Sequence, residues 1–315
     1  MTTTQLMARR VRGRDAYLLE LAVGLETRER YTRHVQYFLQ WVVDNDDNAE
    51  DVEELDDLLL DYIHELHGTG EAKSYAINTF YGICMFAPEL KRKLVRSRQA
   101  IKGWNNSEPG RSWPPLTWEL TLAIAAQLCR HKKRHYAIAL LLAFDCFLRV
   151  GELVGLRRED VADDADLRIA GEHKGMILRL RKTKTGANQW VRVLNPDVQL
   201  LVRDLLRRTK PKRPLFSFTA DQFRRSMKHV CAELGLSPLY VPHSLRHGGA
   251  TRYYHVLGMP MEDILARGRW ASTESARRYI QSGVAMLMAS EAPTRVVQLG
   301  LEMAKDVLLY LSLSQ

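Results

Sequence analysis

His243 and Arg246 stand three apart in the stretch Pro242 to Tyr279, PHSLRHGGATRYYHVLGMPMEDILARGRWASTESARRY. An imidazole and a guanidinium on one helical face make a receptor for a phosphate oxyanion. Pro242 marks a helix N-terminus, whose free amides also favour anions. Trp270 and Tyr279 follow, nine apart. The indole N–H is a donor only. A phenol titrates near 10 when unperturbed, so it needs neighbouring cations or a base before it can attack a phosphate. His243 and His247 also have the i, i+4 spacing of a helical metal pair. Ser244 stands where HExxH carries its glutamate, however, and no clear third ligand follows, so phosphate recognition is the better reading and no metal is assigned.

Two upstream stretches carry comparable residues. Arg149 lies in FLRVGEL, directly after an apolar helix, with Glu152 three residues on as a fixed partner. A buried arginine needs such an anion, and part of its planar fork stays available to a ligand. Lys182 and Lys184 lie in RKTKTGANQWVRV, where a flexible lysine at a hairpin tip can donate a proton to a leaving alkoxide. Taken singly, each has a structural alternative: an Arg–Glu pair, a solvated turn lysine, packed aromatics.

The elements that position these groups are mostly helical. Apolar residues recur at three- and four-residue spacing from Tyr17 to Val43, with Thr27 a capping break, and further helices read at Leu55–Leu66, Ala72–Met85 and around Pro88–Ser97. Asp44 to Asp57 holds nine acids in fourteen residues and reads as a solvated loop entering the first turn of a helix. NNSEPGRSWPP (105–115) is the best linker. Beyond it helices read at Leu116–Cys129, His135–Phe147, Glu152–Leu156, Val198–Arg208, Ala220–Leu234, Leu245–Val256, Met261–Ala266 and Glu274–Ser282, with one amphipathic helix over Glu291–Leu313. The period changes at Leu167–Ile169, Ile177–Leu180 and Trp190–Val193, which predict a small antiparallel sheet with Lys182–Asn188 as a polar turn around Gly186.

Composition bounds the partner. The 315 residues, 46% apolar and 26% charged, suit one large or two ordinary globular domains. The net charge of +9 divides into −3 over residues 1–105 and +12 over 106–315, which fits a polyanionic partner, most simply nucleic acid. Cys84, Cys129, Cys146 and Cys231 lack CxxC spacing and predict buried, reduced thiols in an intracellular compartment. The longest apolar run, Ala137 to Phe144, is too short for a bilayer, and the N-terminus lacks the apolar core of a signal peptide. RRVRGR and KPKRP are faint nuclear-import candidates, so nucleus and bacterial cytoplasm both stay open.

Arginine in an RxxE turn, lysine on a hairpin, HxxR, then tryptophan and tyrosine nine apart: in order and spacing this chain resembles the tyrosine recombinase (phage integrase) family. That family includes Cre-like enzymes and shares its catalytic core with type IB topoisomerases. LRVGELVGLRREDV, TKT, PHSLRHGGAT and GRW-x8-Y carry the resemblance, which spans nearly the whole chain. It implies a mainly α (α+β) fold: a helical N-terminal core-binding (SAM-like) DNA-binding domain and a mostly helical catalytic domain with a small antiparallel sheet. The implied division is a basic tail at 1–14, the core-binding domain at 15–105, a linker at 106–115, the catalytic domain at 116–290 and a C-terminal helix at 291–315 that contacts a neighbouring subunit.

The resemblance also implies roles. Arg149 and Arg246 would clamp the scissile phosphate, His243 would assist proton transfer, and Trp270 would occupy a place held elsewhere by histidine or tryptophan. Lys184, which matches TKT better than Lys182, would be the acid for the 5′-hydroxyl leaving group. Tyr279 would form a 3′-phosphotyrosyl bond, with Glu152 and His247 as supports. One phosphodiester is exchanged for another, so no cofactor, ATP or metal is expected. The implied partner is double-stranded DNA, bound by a tetramer that assembles on it, with no membrane and no small-molecule substrate. The implied activity is site-specific DNA recombination or integration of a mobile element; type IB topoisomerase-like relaxation and a domesticated, non-catalytic DNA-binding protein are the alternatives. Two departures stand out: Phe147, where the family usually has glycine before the first arginine, and GRW in place of the common GH pair.

Overall fold

The computed structural model describes residues 21–110, 113–164, 175–183 and 186–312. The chain divides into two compact units, one ending at residue 111 and the other beginning at 112.

The first unit is helical. Helices α1 (Leu25–Asp44), α2 (Val52–Gly68), α3 (Ser74–Phe86) and α4 (Val95–Ser107) enclose a core that includes Phe38, Leu55, Leu59, Ile63, Phe80 and Ile83. The acidic run resolves into a loop and a cap. Asp51 accepts the N–H groups of Glu53 and Glu54 at 2.8 and 3.0 Å, and those two acids occupy the first turn, where the helix dipole favours them. The helix expected around Pro88–Ser97 is instead a 3₁₀ turn at Pro88–Arg92 followed by α4. The buried Asp56 of α2 explains the restart: its carboxylate accepts the N–H groups of Arg96 and Ser97 at 2.8 and 3.0 Å, so a distant side chain caps α4. α4 runs on to Ser107, past the expected domain edge.

The second unit is built on α5 (Trp118–Arg130) and α6 (Arg134–Asp145), the latter buried from Ala137 to Asp145. The short helix α7 (Val150–Val154) leads to a three-stranded antiparallel sheet of β1 (Val161–Asp163), β2 (Met176–Thr183) and β3 (Gly186–Val193), in that order. The register pairs Val161 with Leu178, Leu178 with Val191, and Thr183 with Gly186. Met176, Leu178 and Leu180 alternate into the core, as period two requires. Strand β1 was not legible in the sequence, and the expected Leu167–Ile169 lies outside the described residues. The expected turn at Lys182–Asn188 is corrected: strand pairing reaches Thr183 and resumes at Gly186, whose φ of 154° suits glycine.

Helices α8 (Pro196–Arg208), α9 (Ala220–Glu233), α10 (Pro242–His255), α11 (Met261–Gly268), α12 (Thr273–Arg277), α13 (Ser282–Ser290), α14 (Thr294–Lys305) and α15 (Val307–Ser312) complete the unit. α10 lies close against its neighbours because of two glycines. A Cβ on Gly248 would fall 1.9 Å from the Leu116 carbonyl, and one on Gly249 would fall 2.1 Å from that of Phe144. The C-terminal stretch is two helices rather than one. Asp306 ends α14 in an extended conformation and its carboxylate accepts the Leu309 N–H at 2.8 Å, capping α15. α14 lies along α5 of its own chain, burying Val296 and Met303. The four cysteines are buried and none is in a disulfide. No helix among the described residues is long and apolar enough to cross a membrane.

Candidate active site

α7, α10 and the α11–α13 region bring five of the six expected catalytic residues together. Lys184 lies outside the described residues; Lys182 is exposed on β2, opposite Ala187. Arg149 precedes α7, and Glu152 closes a capping box by accepting the Arg149 backbone N–H at 2.9 Å. The other carboxylate oxygen of Glu152 accepts the Arg149 guanidinium at 2.7 Å. The expected Arg–Glu pair therefore exists, yet Arg149 keeps a quarter of its side chain accessible while Glu152 is enclosed.

Arg246 is fully buried in α10. Its terminal N–H groups donate to the backbone carbonyls of Phe147 and Gly268, and its Nε finds no partner. The guanidinium lies over the rings of Trp270 and Tyr279, 4.5 and 5.3 Å from their centroids, which holds it by cation–π attraction. Burial, with Arg149 and Arg269 as like charges nearby, lowers Arg246 to about 9, leaving it cationic at neutral pH.

His243 and His247 stack around the tyrosine. The His243 ring is 5.4 Å from that of Tyr279 and 5.0 Å from that of His247, and the His247 and Tyr279 rings are 4.4 Å apart. Burial, then the charges of Arg246 and Arg149, push His243 down to about 4. Burial, then His243 and Arg246, push His247 down to about 3. Both imidazoles are therefore neutral at pH 7, and a neutral imidazole can accept a proton.

Tyr279 falls in the turn between α12 and α13, a correction to the helix expected over Glu274–Ser282. A tertiary contact overrides the local helical pattern. Thr251 of α10 donates its hydroxyl to the Tyr279 carbonyl and accepts the Gln281 N–H, each at 3.1 Å. The Trp270 ring lies 4.6 Å from that of Tyr279, and its buried Nε1–H has no acceptor.

Sequence reasoning missed Arg269. It ends α11 in a left-handed conformation, with φ 56°, and is buried. Its fork donates to Glu152 at 2.8 Å and to the Phe147 carbonyl at 2.9 Å. Burial tends to raise the Glu152 carboxyl, but Arg269 and then the Arg149 hydrogen bonds outweigh it and keep Glu152 ionised. Phe147 is left-handed too, with φ 50°, which shows why glycine suits that position. Its carbonyl is the acceptor shared by Arg246 and Arg269. Beneath lies a second unforeseen network. Asp145 holds Arg267 at 3.1 Å, Tyr253 through its hydroxyl, and the Leu194 N–H at 2.9 Å. An acid inside an otherwise apolar helix was the available signal, since a buried carboxylate demands partners.

Arg149 and Arg269 thus share one carboxylate and Arg246 is held by backbone carbonyls alone, beside two neutral imidazoles and with unpaired donors on Arg246, Arg269 and Trp270. Such a centre is suited to an anion.

The phage integrase family model matches residues 119–285, more than half of the 315-residue chain. An integrase of Mycobacterium phage D29 is 28% identical over 167 residues, covering 48% of this chain and 44% of the relative. Tyrosine recombinase XerC of Rhodospirillum centenum is 32% identical over 154 residues, covering 44% of this chain and 40% of the relative. The matched stretches thus span less than half the length of either curated relative. The fold is shared with the Tn1549 transposon integrase in complex with transposon right end DNA, at a TM-score of 0.62 and 12% identity, over 97% of this chain and 100% of that one. It is also shared with a lambda integrase dimer bound to a core site, at 0.53 and 16%, over 89% of this chain and 77% of that one. The chain belongs to the phage integrase family of tyrosine recombinases.

Proposed function

We propose that this protein is a site-specific DNA recombinase that cleaves and rejoins DNA through a covalent 3′-phosphotyrosyl intermediate. The observation that supports it most is the under-compensated arginine cluster packed against Tyr279. In the proposed reaction the Tyr279 hydroxyl oxygen attacks the scissile phosphorus and its proton passes to neutral His243 or to solvent. The phosphorus–O5′ bond breaks, and the leaving oxygen takes a proton from Lys184 to become a 5′-hydroxyl. Attack by the 5′-hydroxyl of another strand reverses these steps and releases Tyr279. Arg149, Arg246 and the Trp270 N–H stabilise the charge that develops on the non-bridging oxygens. Glu152 and Arg269 hold the two clamp arginines in place, and His247 supports the tyrosine ring.

In the same reading residues 15–105 and 116–290 both contact duplex DNA, and copies assemble as a tetramer on it. The exposed Val284, Met286 and Leu287 of α13 supply apolar surface for a neighbouring subunit.

The decisive experiment uses a nicked suicide duplex carrying a cleavage site. Wild type should give a denaturant-stable protein–DNA adduct and Tyr279→Phe none; an adduct persisting in that variant would remove Tyr279 as nucleophile. A 5′-bridging phosphorothiolate, whose sulfur leaves without a proton, should restore Lys184→Ala but not Tyr279→Phe. A two-site exchange assay separates recombination from relaxation of supercoils.

A further inference from the structure

Away from the catalytic cluster, His131, His229 and Glu233 bring three metal-ligating atoms within 4.8 Å of one another. All three side chains are exposed, so an ion has a path to them. His229 and Glu233 are one turn apart on α9 and project from the same face. The start of that helix is held by a reciprocal cap, Thr219 and Gln222 exchanging bonds at 2.8 and 3.2 Å. His131 is the residue that ends α5. The Glu233 carboxylate sits between the two imidazoles, one oxygen 2.6 Å from His131 Nε2 and the other 3.2 Å from His229 Nε2. Tetrahedral zinc with nitrogen and oxygen ligands at about 2.0–2.2 Å spaces those atoms about 3.3 Å apart. Small side-chain rotations reach that spacing without moving either helix.

We propose that His131, His229 and Glu233 form a binding site for a divalent transition metal of the zinc class, with water completing the coordination. Two imidazoles and one carboxylate are a borderline, nitrogen-rich set that suits zinc, cobalt or nickel better than calcium or magnesium. The site joins the end of α5 to α9, and α14 also packs along α5. Metal binding would clip these helices together and stabilise the unit that carries the catalytic residues. Nothing in the primary structure announces the site, because His131 and His229 are about a hundred residues apart and neither belongs to a ligand motif.

The test uses the full-length chain stripped with EDTA. Zinc titrated at neutral pH should bind one to one and raise the thermal midpoint. Cobalt should give the visible absorption of a four-coordinate centre. His131→Gln and His229→Gln should each weaken zinc binding at least about tenfold and abolish the thermal shift. The double variant His243→Gln/His247→Gln should bind zinc as wild type does, which separates this site from the histidines beside Tyr279. Matching circular dichroism of the metal-free proteins verifies that the variants fold. Absence of saturable zinc binding by wild type, or binding undiminished in His131→Gln and His229→Gln, would overturn the proposal and leave the cluster as a pair of histidine–glutamate ion pairs.

Discussion

Two arginine clusters in the second unit differ in how their charge is matched. At the sheet, the buried Asp160 accepts Arg179 at 2.8 Å and Arg181 at 2.8 Å, and Glu159 takes a further Arg181 N–H at 2.5 Å. Two cations meet two anions, and both arginines keep water contact. Around Tyr279, Glu152 is the one carboxylate paired with Arg149 and Arg269, Arg246 has only backbone carbonyls, and Arg246 and Arg269 are almost fully enclosed. The first arrangement is self-sufficient. The second stores positive potential in a poorly solvated place, which is costly unless a ligand supplies the missing negative charge. Burial together with unmatched charge, rather than arginine content, is what sets the candidate site apart.

That contrast can be broken by substitution. The largest effect is expected at Arg246: Arg246→Ala should slow adduct formation on a suicide duplex by about 10³-fold, while Arg181→Ala, measured in the same single-turnover assay, should stay within about threefold of wild type. Comparable losses in the two variants would erase the distinction between the clusters.

A smaller but sharper effect is expected at the single carboxylate. Glu152→Gln should cost about 3 kcal/mol of stability in urea unfolding, because it leaves the buried Arg269 and the half-buried Arg149 without their anion. Added sulfate should then recover stability more in this variant than in wild type, since the ion occupies the vacated charge. Asp160→Asn should show no such sulfate response. A sulfate response equal in the two variants would count against an anion centre at Glu152.

A gradual effect, spread over several pH units, is a pH dependence with a defined sign. His243 and His247 titrate at about 4 and about 3 in the fold against 6.5 when unfolded. The unfolded chain therefore binds protons first as pH falls, so stability is fully present above 6.5 and is lost from there towards 4 and 3. For the enclosed His247 the slope approaches about 1.4 kcal/mol per pH unit. His247→Gln should flatten the stability profile between pH 6.5 and 5.5, above the range where carboxylates titrate. An unchanged slope would mean that this imidazole is not held neutral by the fold.

Much of this was legible from residues alone, and for identifiable reasons. Helices such as α5, α8 and α9 announce themselves because apolar positions recur at their period. Arg149, His243, Arg246, Trp270 and Tyr279 stand out because the spacings themselves carry chemistry. The failures share a cause as well. Tyr279 sits in a turn rather than a helix because Thr251, distant in sequence, takes its carbonyl. α4 begins where it does because Asp56 of another helix caps it. β1 is three residues long, too short for alternation to be read. Arg269 looked like one basic residue among many, and only its enclosure against Glu152 and Phe147 gives it a part.

The sequence by itself determined the helical character, the basic charge of the second unit and which side chains are candidates for the chemistry, because these follow from local periodicity and residue chemistry. The tertiary structure alone decided which charges remain unmatched. Whether Arg246 is cationic and enclosed, whether His243 is neutral, and whether His131 meets His229 depend on burial and on partners brought from far along the chain. Solvation and Coulomb energies are set by distances in space, and no linear spacing encodes those.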